Sequence, residues 1–230
     1  MLIMSNQLDL KQRLVNALDR NDYETVMTLA LQSRKVFSAL VRLTYDKTTL
    51  VAWRAIKAIG HVSSLYVKNN YDFLRDAIRK LLWSLSDESG GIGWSAPEIL
   101  GEIVSADPRK MSDVIPLIAD IFSIEEQVFR PGALYALKKI CEARPESIVP
   151  FQNLVVLGLH EHDPLARIYA LELVALLKGL FTPEELEKVI KQVADLQQDS
   201  AVAWIYRNDG FEDLEVRELA CRVNDYLKKR

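Results

Sequence analysis

The chain has 230 residues, 49% of them hydrophobic, which is enough to bury a large core in one compact or gently curved helical body. Its 29 basic residues face 32 acidic ones, and the two signs alternate along helix faces, a solvated pattern that argues against a nucleic-acid partner. No span is long and apolar enough to cross a membrane, the start lacks the flank and core of a signal peptide, and two cysteines imply no disulfide framework.

Apolar periodicity and turn residues predict helices near 7–19, 22–31, 34–45, 48–66, 70–85, 92–106, 109–122, 126–143, 147–159, 164–179, 183–197 and 216–229. Proline at 108, 145, 164 and 183 marks places where a helix starts but cannot continue. The first three helices share no register, so residues 1–46 are expected to cap one end. Residues 47–200 carry repeats. Ala55, Ala96, Ala133 and Ala170 sit in equivalent apolar stretches, spaced by 41, 37 and 37 residues. Small or apolar residues recur three and four positions after each anchor, and Val62, Ile103, Ile140 and Leu177 recur at seven. Those offsets put one stripe on one helix face. Each unit therefore reads as two amphipathic helices, the second carrying the alanine, and the period predicts an α-solenoid.

Seven residues before the anchors stand Thr48, Ser89, Glu126 and Asp163, at the expected helix entrances, and three of the four are good N-caps. Arg130 and Arg167 follow their acids by four, so Glu126/Arg130 and Asp163/Arg167 are expected to pair along the helix. The spacing returns as Asp213, Arg217 and Ala220, a fifth unit delayed by an insertion. With its turn acids, following arginines and small-residue seam, the stretch from 33 to 230 resembles the HEAT-repeat superfamily. The first units depart from that pattern, with Ala52 and Gly93 where the arginine would stand.

Two segments break the rhythm. Residues 86–98 hold Asp87, Glu88, three glycines within four positions (Gly90, Gly91, Gly93), Trp94, Pro97 and Glu98. This loop lies against a helix start whose amides suit a carboxylate or phosphate, yet it lacks the lysine of a phosphate loop and does not follow a strand. Pro97 either belongs to the first turn of a helix beginning near Ser95 or kinks the rod. Residues 201–214 hold Asn208-Asp209-Gly210 between β-formers, which predicts a short β-hairpin that shields the terminal repeat or offers a strand edge to a partner.

Trp53 and Trp94 occupy the same position in successive units, two residues before the anchor. They are read either as inter-repeat core or as an aromatic pair on the concave side, flanked by Arg54, Glu98, Arg130 and Tyr135. Catalytic signals are sparse. His61, His160 and His162 lack metal-ligand spacing, Glu98 and Glu102 are a carboxylate pair of the kind any charged helix face supplies, and Cys141 and Cys221 are read as reduced packing residues. No catalytic residue, metal or cofactor is implied.

The resemblance implies an all-α solenoid. It also implies a choice of roles, since the superfamily includes scaffolds, transport factors, lyase-like chromophore enzymes and a few DNA glycosylases. The leading expectation is a cytoplasmic, non-enzymatic scaffold or adaptor for a protein or peptide. Its surface would comprise Trp53, Arg54, Asp87, Glu88, Gly91, Trp94, Glu98, Arg130, Tyr135 and Arg167. The alternatives are an accessory or lyase-like protein binding a cofactor or chromophore and, ranked last, a HEAT-type DNA glycosylase.

Overall fold

The computed structural model describes residues 2–85, 92–124 and 127–229. Three helices open the chain, α1 (Leu2–Asp19), α2 (Tyr23–Gln32) and α3 (Lys35–Leu43), and pack on the long α4 (Leu50–Asn69). Then follow α5 (Tyr71–Ser84), α6 (Ala96–Ser105), α7 (Ile115–Ile121), α8 (Arg130–Ala143), α9 (Gln152–Gly158), α10 (Pro164–Leu177) and α11 (Pro183–Asp195). A hairpin of β1 (Val202–Arg207) and β2 (Gly210–Glu215) precedes α12 (Val216–Lys228).

The stacking order follows the alanine register. Helices α4, α6, α8, α10 and α12 touch in sequence, and α5, α7, α9 and α11 back the last four of them. Ala55, Ala96, Ala133 and Ala170 are all fully buried, as are the residues three, four and seven positions after each, and Ala220 is buried in α12. Each fully buried Leu or Ile of this seam contributes about 1.5–3 kcal/mol of apolar burial. Small residues set the spacing. At Gly101 a Cβ would land inside the backbone of Ala136, with the Ala136 Cβ 2.7 Å away, so α6 and α8 close to a separation that only glycine permits.

Several predicted boundaries shift for local reasons. Thr49, rather than Thr48, caps α4 by accepting from the Ala52 amide at 3.2 Å, because Asp46 takes both the amide and the hydroxyl of Thr48. Pro150 has no amide hydrogen to donate, so the predicted helix 147–159 becomes a 3-10 segment, Pro145–Phe151, followed by the short α9. Residues 107–114 form turns rather than the first half of the helix expected at 109–122. Pro97 falls in the first turn of α6, after a 3-10 turn at Ile92–Ser95, where its missing donor does no harm.

The hairpin forms where it is expected, in register from Val202↔Glu215 to Arg207↔Gly210. Asn208 and Asp209 turn with φ of 49° and 62°, the left-handed pair that matches strand twist in a two-residue loop. Its course reaches further than the terminal repeat. Ala203, Ile205 and Leu214 are buried where the hairpin packs on α10 and α12, while the tip extends back to α4. Cys141 is buried, but Cys221 is exposed on α12 and fills no core position.

Candidate functional site

The turns that precede each second helix line one rim, and each is fastened to the next. Ser95 donates to the Thr44 carbonyl at 2.6 Å, tying the head of α6 to the end of α3. The Lys47 ammonium reaches Glu98 at 2.8 Å. Trp94 lies against Phe129, ring centroids 6.1 Å apart, which joins the heads of α6 and α8. Arg130 donates from one nitrogen to both oxygens of Glu161, at 2.9 and 3.0 Å, and Arg167 pairs with Asp199 at 2.8 Å while also donating to the Glu161 and His162 carbonyls.

Among the described residues, the pairings of acid with Arg130 and Arg167 run between turns. Asp163 does not pair with Arg167, because its carboxylate caps α10 by accepting from the Leu165 amide at 2.8 Å. Arg130 reaches forward to Glu161, and Glu126 lies outside the described residues. In the delayed fifth unit Asp213 is a strand residue opposite Trp204, and Arg217 pairs with Glu215.

Inside the rim, side chains from alternate helices meet over α6. Trp53 is only 6% exposed, donates its indole N–H to the Lys47 carbonyl at 2.9 Å, and contacts Tyr135 edge-on and Tyr206 face-on, each at 5.5 Å. Tyr169 continues the row, 5.5 Å beyond Tyr135. Glu98 and Glu102 lie buried one turn apart beneath these rings, and Tyr135 donates its hydroxyl to Glu102 at 2.7 Å. Both carboxylates are packed against glycines, Glu98 over Gly132 and Glu102 over Gly60, where any Cβ would strike them.

Burial pushes the Tyr135 and Tyr169 phenols well above 10, so both stay neutral, and it pushes the Cys141 thiol up to about 12. Burial also raises the Glu102 carboxyl above its ordinary 4.5, against partial relief from Lys139 and from the Tyr135 hydroxyl. The folded chain therefore holds the Glu102 proton more tightly than the unfolded chain does. That contribution to stability is complete below pH 4.5 and is lost as pH rises through the raised folded value. Glu102→Gln keeps the acceptor for Tyr135 and removes the titration. The variant is expected to gain stability relative to the parent as pH climbs from 4.5 toward neutrality. Denaturant midpoints across that range check this; two parallel curves would exclude it.

No family model and no curated protein matches the sequence. Among solved structures, the chain is similar to a designed armadillo repeat protein in complex with the peptide (KR)4, at 15% identity and a TM-score of 0.56, over 98% of this chain and 92% of that one. It is also similar to the crystal structure of an engineered protein, at 16% identity and a TM-score of 0.52, over 96% of each chain. The chain has a HEAT/armadillo-like repeat fold. A HEAT-like repeats protein from the archaeon Thermococcus onnurineus NA1 aligns over 96% of each chain at 13% identity with a TM-score of 0.42. Among the described residues, no helix of this repeat fold is long and apolar enough to cross a membrane.

Within the repeat fold the expected surface residues separate into two groups. Trp94, 44% exposed, and the ion-paired Arg130 and Arg167 gather at the rim, while Glu98, expected on the surface, is only 3% exposed and meets the rim through Lys47. Trp53, Arg54 and Tyr135 lie beneath the hairpin tip and the aromatic row; Arg54 holds the Leu18, Asp19 and Asp209 carbonyls at 3.0 to 3.2 Å. The two equivalent tryptophans thus have opposite surroundings. Asp87, Glu88 and Gly91 lie outside the described residues.

Sequence reasoning passed over Lys47, Lys57 and Glu172, and took Tyr206 and Asp209 only as parts of the hairpin. A signal for some of them was present. Two positions after each alanine anchor stand Lys57, Glu98, Tyr135 and Glu172, a polar column inside otherwise apolar stripes. That column forms the inner wall, and two of its members bind the hairpin: Lys57 pairs with Asp209 at 2.6 Å and Glu172 with Arg207 at 3.0 Å.

Proposed function

We propose that this chain is a non-enzymatic scaffold that holds a protein or peptide partner against the rim and inner wall of its second helices. The observation that carries the reading is the rim itself. Tyr45, Trp94 and Val128, at 62%, 44% and 51% exposure, precede three successive second helices, on turns joined by the Lys47–Glu98 ion pair and by the contact of Trp94 with Phe129. Adjacent packed helices lie roughly 10 Å apart, so these side chains form a spaced row of apolar anchors on a stiff frame. Partner recognition favours that combination, because little conformational freedom is lost on docking.

The chemistry inside the wall supports a binding role over a reaction. The Cys141 thiol and the Tyr135 and Tyr169 phenols are held protonated, and Glu98 and Glu102 are covered. The designed armadillo relative with its (KR)4 peptide is a precedent for an extended occupant on this fold, which shares only architecture with this chain.

The test is photo-crosslinking in the source cells. A photoreactive phenylalanine analogue at position 94 is expected to give an adduct of defined mass. The same analogue at position 31, where Leu31 is 72% exposed on α2 away from the rim, is expected to give none. Equal adduct patterns from both positions would remove the rim from the proposal.

A further inference from the structure

The tip of the hairpin lies on the inner wall as a bound peptide would. Tyr206 stacks on Trp53 with an 8° tilt, Arg207 pairs with Glu172 of α10, and Asp209 takes Lys57 of α4 through its carboxylate and Arg54 through its carbonyl. These contacts span from α10 to α4. They use the polar column that runs two positions after each alanine anchor.

Tip and base are held in different ways. Ala203, Ile205 and Leu214 are at most 5% exposed and belong to the core, and the base is pinned further where the Val216 amide donates to Ala201 at 3.0 Å and the Arg217 amide to Asp199 at 2.9 Å. The tip residues Tyr206, Arg207, Asp209 and Gly210 are half-exposed. Ion pairs at that exposure contribute little, because water and salt compete for both partners. The tip can therefore lift while the base stays seated.

The geometry points to a peptide site on this wall whose resident occupant is the hairpin tip. The partner it fits is an extended segment carrying an aromatic ring, then a guanidinium, and two residues later a carboxylate, the order of Tyr206, Arg207 and Asp209. Such a segment takes Trp53, Glu172 and the Lys57–Arg54 pair when the tip lifts. This rests on the scaffold reading and narrows it: the rim offers apolar anchors, and the wall reads charge. A second copy of the chain does not fit the role, since its own tip is tied to a base that stays packed.

The probe is a fluorescein-labelled peptide with the sequence of residues 204–211, titrated into the full chain and followed by anisotropy. The double variant Arg207→Ala with Asp209→Ala loosens the tip and keeps the base. It is expected to bind the probe several-fold more tightly than the parent does, the shift that loss of two half-exposed ion pairs allows, because the site is less occupied from within. Adding Lys57→Ala and Glu172→Ala is expected to return binding to baseline. Equal affinity for parent and double variant, binding that survives loss of Lys57 and Glu172, or a dimer in place of a one-to-one complex would each overturn the proposal.

A measurement that leaves Arg207 and Asp209 in place decides the case even if the variants fold poorly. Fluorotyrosine at position 206 is expected to show a second, exchange-linked 19F resonance that grows as probe is added. A single resonance unmoved through saturation would overturn the proposal. Crosslinking at position 94 that succeeds alongside that unmoved resonance would retain the scaffold and remove only the tip-gated site.

Discussion

Gly101→Val is expected to destabilise the chain by about 3 kcal/mol or more, near the upper end for overpacked cores. The obstacle is backbone. The added Cβ would meet the Ala136 main chain and its Cβ at 2.7 Å, and neither can swing aside as the end of a long side chain could. Helices α6 and α8 must therefore part, and the opening is transmitted along the seam lined by Leu100, Ile103, Leu137 and Ile140. In a stack whose units contact mainly their neighbours, weakening one interface also weakens cooperativity, so the urea slope is expected to fall along with the midpoint. Gly179→Ala is the control: nothing lies within 4 Å of the added carbon, and its stability is expected within about 0.5 kcal/mol of the parent. Equal midpoints for the two variants would mean that α6 and α8 are not held at glycine-limited separation.

The same seam explains why so much of the architecture is legible in the sequence. A solenoid repeats one packing problem, so each solution leaves the same mark, an alanine followed by apolar residues three, four and seven positions on. All of those positions in the four anchored units are fully buried. The candidate site is less legible for a complementary reason. Arg130 pairs with a residue 31 positions away and Lys47 with one 51 away, distances at which spacing along a single helix carries no information. In-helix pairing was the natural reading of Asp163 and Arg167, yet the capping requirement at the head of α10 takes the carboxylate first.

Trp53 and Trp94 show the limit most directly. They share a register position and differ in fate because of what lies opposite. The hairpin, inserted some 150 residues downstream, brings Tyr206 over Trp53, whereas Trp94 meets Phe129 at the open rim. The Asn-Asp-Gly turn announced the hairpin, but nothing local announced its direction. Only the polar column at Lys57, Glu98, Tyr135 and Glu172 hinted that the inner wall had a partner to meet.

Trp53→Ala is expected to lose about 3–5 kcal/mol, the range for removing a large buried aromatic side chain. Its indole supports three structures at once: Tyr135 of α8, Tyr206 of the hairpin, and the Lys47 carbonyl before α4. The last of these couples the substitution to charge. Lys47 is held at its carbonyl by the indole and at its ammonium by Glu98, so losing the indole frees the lysine that neutralises a carboxylate only 3% exposed. An unpaired buried charge is more costly than the pair is worth. The Trp53→Phe variant separates the contributions, keeping a ring for Tyr206 and Tyr135 and losing mainly the hydrogen bond, a change of about 1 kcal/mol beyond the smaller volume. Combining Trp53→Ala with Lys47→Ala is expected to be non-additive by at least about 0.5 kcal/mol in a double-mutant cycle, because both act on Glu98. Strict additivity in denaturant unfolding would show that the indole and the lysine act independently, and would confine the role of Trp53 to packing beneath the hairpin.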